Sequence, residues 1–434
     1  MTVLRRSAWA VGALVALVLQ LMVLRWFSPI VGVLWPVAAG TFHVAGPAPH
    51  PLENIDTVDV GPGTLLSATT LPTVDAGPGV RAARIVYRSS NGDTNTFTAV
   101  SGAVFVPAGN PPAGGWPVVA MGHGTVGIKN DCAPSLSENL DGMLTSTLWL
   151  VHHGYAVAAT DYEGLGTKGI HPYLDARTAG RNMIDSVRAL RHAFPGIISD
   201  RWAALGHSQG GAAAWAADEQ SDIYAAELDL VGAVAMAPAA DVSAMPQKAF
   251  EGRLTVDQPA ALQAIVDSMS HVHPDLIRRE DFSTAAGREH WDQLLACTGA
   301  DLYLRGFYYN KLSPKDLAPQ SQAAADQLRS LLRAWALPQR KLSAPLSVWY
   351  GGSDTFVDAG WTAAAIKAAC AMGDAVSIQY EPSKGHEQFD LMAQAKWMVD
   401  RFDDVPATND CDNHDAFPSA PTLGHVGAVG GGGR

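Results

Sequence analysis

The residues best placed for chemistry are a serine with a glycine two positions away on each side: Gly206-His207-Ser208-Gln209-Gly210. An apolar run over 202–206 leads into this segment, and Gly210-Gly211-Ala212-Ala213-Ala214 opens a helical pattern over 210–220. A G-x-S-x-G turn between strand and helix forces its serine into a strained, exposed position. The glycines stand where neighbouring backbone must pass closely. A serine hydroxyl is a poor nucleophile unless a base takes its proton during attack, so Ser208 implies a histidine and an acid elsewhere.

In this arrangement the acid and then the base follow the serine in the chain, each just beyond a later strand. VWYGGSDTFV places Asp354 after a strand ending at Tyr350, and IQYEPSKGHEQF places His386 after the next. Asp358 is the rival acid, but it lies deeper in its segment, where it begins or decorates the following helix. His152, His153, His271 and His273 lack the placement of a base and read as surface or packing residues. The chemistry implied is attack by Ser208 on an acyl carbon, with His386 as base and Asp354 holding the imidazole.

The negative oxygen formed by that attack needs backbone donors. One is the amide of Gln209, directly after the serine. The second belongs to the loop after the strand ending at Met121, where His123-Gly124-Thr125 sits; the Thr125 amide, aided by its hydroxyl, is the candidate. His123 reads as a structural partner beside the site. No metal and no organic cofactor is required.

The elements that must position these groups alternate. Residues 82–90 and 96–106 read as a hairpin turning at Asn91-Gly92. Val118 to Met121, Tyr155 to Thr160, 202–206 and Ala233 to Ala237 read as strands, with helices over 175–194 and 210–220. This is α/β logic, a mostly parallel sheet with helices on both faces. From 242 to 340 the pattern turns mostly helical, clearest over Leu262–Met269 and Ser321–Trp335, and reads as an inserted cap. Strands resume at 346–350 and 376–380, with a helix over 388–402. The expected organisation is 1–40 leader, 41–241 first part of the core, 242–340 cap, 341–412 last part of the core and 413–434 flexible Gly/Pro-rich tail. Residues 41–80, rich in Pro, Gly, Thr and Asp, read as irregular.

The formal charge of −12 argues against nucleic-acid binding, which needs a concentrated basic surface. Arg5 and Arg6 precede an uncharged, mostly apolar run from Ser7 to Leu24, the layout of an export signal. The run is also near bilayer-spanning length, so a retained anchor with the catalytic domain outside is the alternative to a cleaved signal. Four cysteines, Cys132, Cys297, Cys370 and Cys411, make two disulfides plausible in an exported protein and permit three pairings.

Together His123-Gly124-Thr125, Asp131-Cys132-Ala133-Pro134-Ser135, Asp161-Tyr162-Glu163-Gly164-Leu165-Gly166, the 206–210 turn and the late GGSD and GHE segments resemble the secretory lipase family. That family is related to fungal lipase A, and the match is to its actinobacterial branch over residues 50–412. The DCAPS and DYEGLG combination is the specific part. The resemblance implies an α/β-hydrolase core with a helical cap, hydrolysis of acylglycerols and other carboxylic esters, and two disulfides, Cys132–Cys297 and Cys370–Cys411. The expected partner is an ester or lipid substrate, with contact at a lipid interface. Leu302, Leu304, Phe307, Tyr308 and Tyr309 are candidates for an acyl site or for cap packing. The competing functions are an acyltransferase using the same acyl-enzyme and a short-chain carboxylesterase. Amidase and passive surface-binding readings rank lower.

Overall fold

The computed structural model describes residues 49–71, 77, 79–389 and 391–418. The apolar leader (1–40) and the tail from 419 onward lie outside the described residues. Among the described residues no helix is long and apolar enough to cross a membrane.

Alternating inward residues build the first hairpin. In β2 (Val80–Ser90), Ala83, Ile85 and Tyr87 point into the core and are fully buried; β3 (Phe97–Pro107) pairs with it antiparallel. The runs that follow form the parallel part of the sheet, and the central ones are largely apolar on both faces: β4 (Trp116–Gly122), β5 (Ala156–Thr160), β6 (Ile198–His207), β7 (Asp229–Met236) and β8 (Leu346–Gly351), with β9 (Val376–Glu381) as the half-buried edge strand. The nine strands run in the order β1-β2-β3-β5-β4-β6-β7-β8-β9. Pairs from β5 onward are parallel, and β3 joins β5 antiparallel. This is an α/β-hydrolase sheet.

One expectation for 41–80 is overturned. Within that stretch Leu65–Thr70 forms β1, antiparallel to β2. Its register shifts between Leu65 and Ser67, so the buried residues are Leu65 and Ala68, three apart, and the clean alternation that marks a strand is lost.

Helices α1 (Leu144–His152), α2 (Ala176–Ala193) and α3 (Gln209–Tyr224) alternate with these strands. Between β7 and β8 the chain is helical: α4 (Met245–Phe250), α5 (Gln258–Val272), α6 (Ala285–Glu289), α7 (Trp291–Leu294), α8 (Gly299–Tyr309) and α9 (Gln322–Trp335). This segment has a core of its own. In α9, Ala324, Leu328, Leu332 and Trp335 recur at helical spacing and pack with Leu262, Ile265 and Met269 of α5. Ser321 caps α9 by accepting the Ala324 amide. Helices α10 (Ala359–Ala371) and α11 (Leu391–Phe402) complete the fold around β8 and β9.

Candidate active site

The carboxyl ends of β4, β6, β8 and β9 carry the candidate residues to one place, on either side of the point where the strand order reverses at β4. Ser208 follows β6 and sits at φ 57°, ψ −117°, a conformation a side chain adopts only under strain. Three backbone bonds hold it there: the Ser208 amide donates to Met236 O (2.8 Å), and Ser208 O accepts from Ala212 N and Ala239 N (3.1 Å each). The flanking glycines are required by contact. A Cβ on Gly206 would overlap the Gly210 carbonyl, and one on Gly210 would overlap the Gly122 carbonyl.

Asp354 and His386 meet. His386 Nδ1 donates to Asp354 Oδ2 at 2.6 Å, with the Asp354 side chain almost wholly buried. The other carboxylate oxygen accepts the amides of Phe356 (2.8 Å) and Val357 (2.9 Å), which fixes its orientation. Asp358, the rival, is held elsewhere: it pairs with Lys248 at 2.7 Å and accepts from Gln258. Ser208 and His386 line one cavity of about 480 Å3, together with Gly124, Thr125, Asp141, Met143 and Phe356.

The loop after β4 reaches the same cavity. His123 is buried, with one ring nitrogen against the Gly124 carbonyl (2.6 Å) and the other against the Asp161 carbonyl (3.1 Å). Both nitrogens are thus occupied structurally. The Thr125 hydroxyl pairs with the Tyr173 hydroxyl at 2.7 Å.

The DYEGLG and DCAPS segments turn out to be bonded to each other. The buried Asp161 carboxylate accepts from Ser101 (2.6 Å) and from both the amide and hydroxyl of Ser135 (2.9 and 2.5 Å). Next to them the Cys132–Cys297 disulfide ties the DCAPS segment to the residues leading into α8; Cys370–Cys411 ties α10 to the carboxyl segment. Both pairings match those implied by the family resemblance. Gly127, at φ 139°, crosses the first bridge where a Cβ would strike the Cys132 sulfur.

Several residues at the site carry no local signal in the sequence. His171 Nδ1 faces the Glu163 carbonyl (2.8 Å), so the proton is on that nitrogen and Nε2 accepts from the Gln209 side-chain amide (2.9 Å). Burial pushes its pKa down to about 3, keeping the ring neutral. His171 thereby anchors the side chain of the residue after Ser208. Asp141, at φ 49°, lines the cavity, and burial raises its pKa. Phe356 lies 5.2 Å from the His386 ring. His207 packs 4.7 Å from that ring on another side, and burial and the neighbouring imidazole lower its pKa. Only the placement of His207 inside the G-x-S-x-G turn could have flagged it.

A second cavity of about 670 Å3 lies under the helical segment and shares Thr125, Val126 and Phe356 with the first. Its remaining wall includes Ile128, Ala261, Ala264, Leu294, Leu295 and Leu317.

Among relatives, a Mycobacterium tuberculosis protein named "probable inactive lipase" is 28% identical over 265 residues, covering 56% of each chain. Lipase A of Moesziomyces aphidis is 31% identical over 185 residues, 39% of this chain and 38% of that protein. The chain thus spans about half or less of the length of these two relatives. Among solved structures, Candida antarctica lipase A in its closed state superposes with a TM-score of 0.63 at 21% identity, over 80% of this chain and 84% of that one. The secretory lipase family model matches residues 135–410, from the DCAPS serine through β9 and beyond, and the chain belongs to that family.

Proposed function

We propose that this protein is an exported serine hydrolase of carboxylic esters, a lipase acting on acylglycerols, with Ser208, Asp354 and His386 as its triad. The observation that carries the reading is the 2.6 Å bond from His386 Nδ1 to Asp354, in the cavity where Ser208 stands at a strained elbow. With Nδ1 protonated and bonded, the lone pair of His386 sits on Nε2, the atom that accepts the Ser208 proton. Ser208 Oγ attacks the ester carbon, and the alkoxide formed is met by the amides of Gln209 and Thr125. His386 passes its proton to the departing alcohol, leaving an acyl-enzyme. Water, deprotonated by the same imidazole, then releases the acid and restores Ser208.

The acyl chain runs from Ser208 past Thr125, Val126 and Phe356 into the cavity beneath the helical segment 242–340, which serves as the cap. That cavity has the size and largely apolar lining of a small-molecule site. The apolar leader directs export, and two disulfides suit an oxidising compartment. At the cap surface, Leu302, Tyr303, Leu304 and Phe307 of α8 are exposed and would meet a lipid interface.

The test is turnover of esters from acetyl to long-chain acyl, including a triacylglycerol emulsion, beside the Ser208→Ala variant. The relative named as inactive makes that control decisive. Loss of about 10⁴-fold or more in turnover is expected for Ser208→Ala with the fold intact. Unchanged turnover would remove Ser208 from the mechanism; activity confined to short esters would make the protein a carboxylesterase, and transfer to an added alcohol would make it an acyltransferase.

A further inference from the structure

Beside the triad histidine stand two groups that ester hydrolysis does not use, His207 and Glu387. One ring nitrogen each of His207 and His386 and a carboxylate oxygen of Glu387 lie within 4.8 Å of one another. We propose that these three residues form an inhibitory site for a divalent cation of the zinc class, which closes the enzyme by occupying its base. The proposal rests on the reading of His386 as that base.

The hydrogen bonds around the two rings leave each histidine one free nitrogen. His386 Nδ1 donates to Asp354, so its lone pair is on Nε2. His207 Nε2 lies 2.9 Å from the His386 backbone carbonyl, which can only accept, so that nitrogen carries the proton and Nδ1 keeps a lone pair. Nδ1 is also the atom nearest Glu387, at 3.8 Å from its carboxylate.

Metal-binding histidines are oriented by a carboxylate or a backbone carbonyl on the nitrogen that does not bind. Both kinds of support are present here, Asp354 behind His386 and the His386 carbonyl behind His207. Two imidazoles and a carboxylate are a known three-ligand set for zinc, with a fourth position for water. Bonds of about 2.0–2.1 Å place the ligand atoms of a tetrahedral site roughly 3.3 Å apart. The ligand groups lie within 4.8 Å of one another, so closure asks for adjustment of the rings and a swing of Glu387, whose side chain is 75% exposed. A cation bound this way holds the Nε2 lone pair that would otherwise take the Ser208 proton, so hydrolysis stops without any change in the fold.

The test uses zinc chloride in a non-coordinating buffer with the wild-type chain and its Glu387→Gln variant. Equilibrium dialysis should give one more bound zinc per chain for the Ser208→Ala protein than for Ser208→Ala combined with Glu387→Gln. In the active proteins, Glu387→Gln should retain ester turnover and raise the half-inhibiting zinc concentration at least about tenfold. EDTA should restore the wild-type rate. Equal zinc binding and equal inhibition with and without Glu387 would overturn the site. Because dialysis needs no turnover, a Glu387-dependent zinc ion in a protein that hydrolyses no ester would reject the functional reading and leave the metal site standing.

Discussion

Helices α3 and α8 each follow closely on a residue that is locked in place, Ser208 for one and the disulfide-bonded Cys297 for the other, yet they are built oppositely. Every residue of α3 from Gln209 to Ser221 is buried, whereas α8 buries none. Packing on all sides fixes the helix that starts at Ser208. The helix over the second cavity is held at its two ends, at the start where Cys297 bonds Cys132 and the Thr298 hydroxyl bonds Asp131, and at the close where the Tyr309 hydroxyl bonds Gln263. Interior packing resists displacement because each lost contact leaves a void. Changes around α3 should therefore appear in turnover or stability with any ester. Those on the exposed arc of α8, away from Arg305 and Tyr309 that line the second cavity, should appear only when the substrate presents a surface.

The largest effect expected on the rigid side is that of Asp354→Asn. Asparagine can still accept the Phe356 and Val357 amides through its oxygen, but its NH2 then faces His386 Nδ1. The imidazole is driven to the other tautomer, and kcat on a soluble ester should fall by about 10⁴-fold without a loss of melting temperature. A variant that keeps kcat within tenfold would return the role to Asp358 and break the picture of a site fixed by β8 and β9.

The complete burial of α3 also has a cost that can be measured. Glu219 lies inside it, and burial raises its pKa from 4.5 to about 8, although its oxygens accept the Gln339 amide. Its folded-state pKa is above the unfolded one, so the folded chain binds the proton more tightly. The stability this contributes is complete below about pH 4.5 and is lost as pH rises through about 8. Glu219→Gln should flatten the fall in unfolding free energy between pH 5 and pH 8, by an amount on the order of a few kcal/mol at the alkaline end. The kcat near neutrality should be unchanged. An unaltered stability profile would mean that α3 hydrates its carboxylate and is less tightly packed than α8's opposite should be.

The same contrast explains what the sequence could reveal. The elbow was legible because its chemistry needs a local pattern, glycines at fixed spacing between an apolar strand and a helix. Parallel strands buried on both faces are also continuous apolar runs, so β4 to β8 could be read. Asp354 and Asp358 both follow β8, and what separates them is Lys248 of α4, a residue more than a hundred positions away. His171 reaches Gln209 through the fold rather than through spacing. β1 was missed because its register shift breaks the alternation, and α1 because its run from Leu144 to His152 lies between irregular turns. The disulfide pairing came from family resemblance, since four cysteines by themselves leave three pairings open.

The smallest effect is expected on α8, and it is the one that tests the other half of the comparison. Tyr303, Leu304 and Phe307 lie within one arc of the helix and are 64%, 43% and 57% exposed. Lys311 stands 4.1 Å from the centre of the Phe307 ring, which puts a positive charge at the edge of this apolar face. Val256, 88% exposed, lines the mouth of the neighbouring cavity. Replacing Leu304 and Phe307 together by Ser removes half-exposed apolar surface outside the packed core of the helical segment, so the fold should not suffer. Each side chain partitioned into lipid contributes about 1 kcal/mol or more, and the pair should shift the emulsion concentration for half-maximal rate by about thirtyfold or more. The rate on a soluble short-chain ester should stay within about twofold, because the triad and α3 are untouched. Equal losses on both substrates would show that α8 shapes the catalytic cavity itself; a full emulsion rate at low lipid would mean that the exposed face serves some other contact.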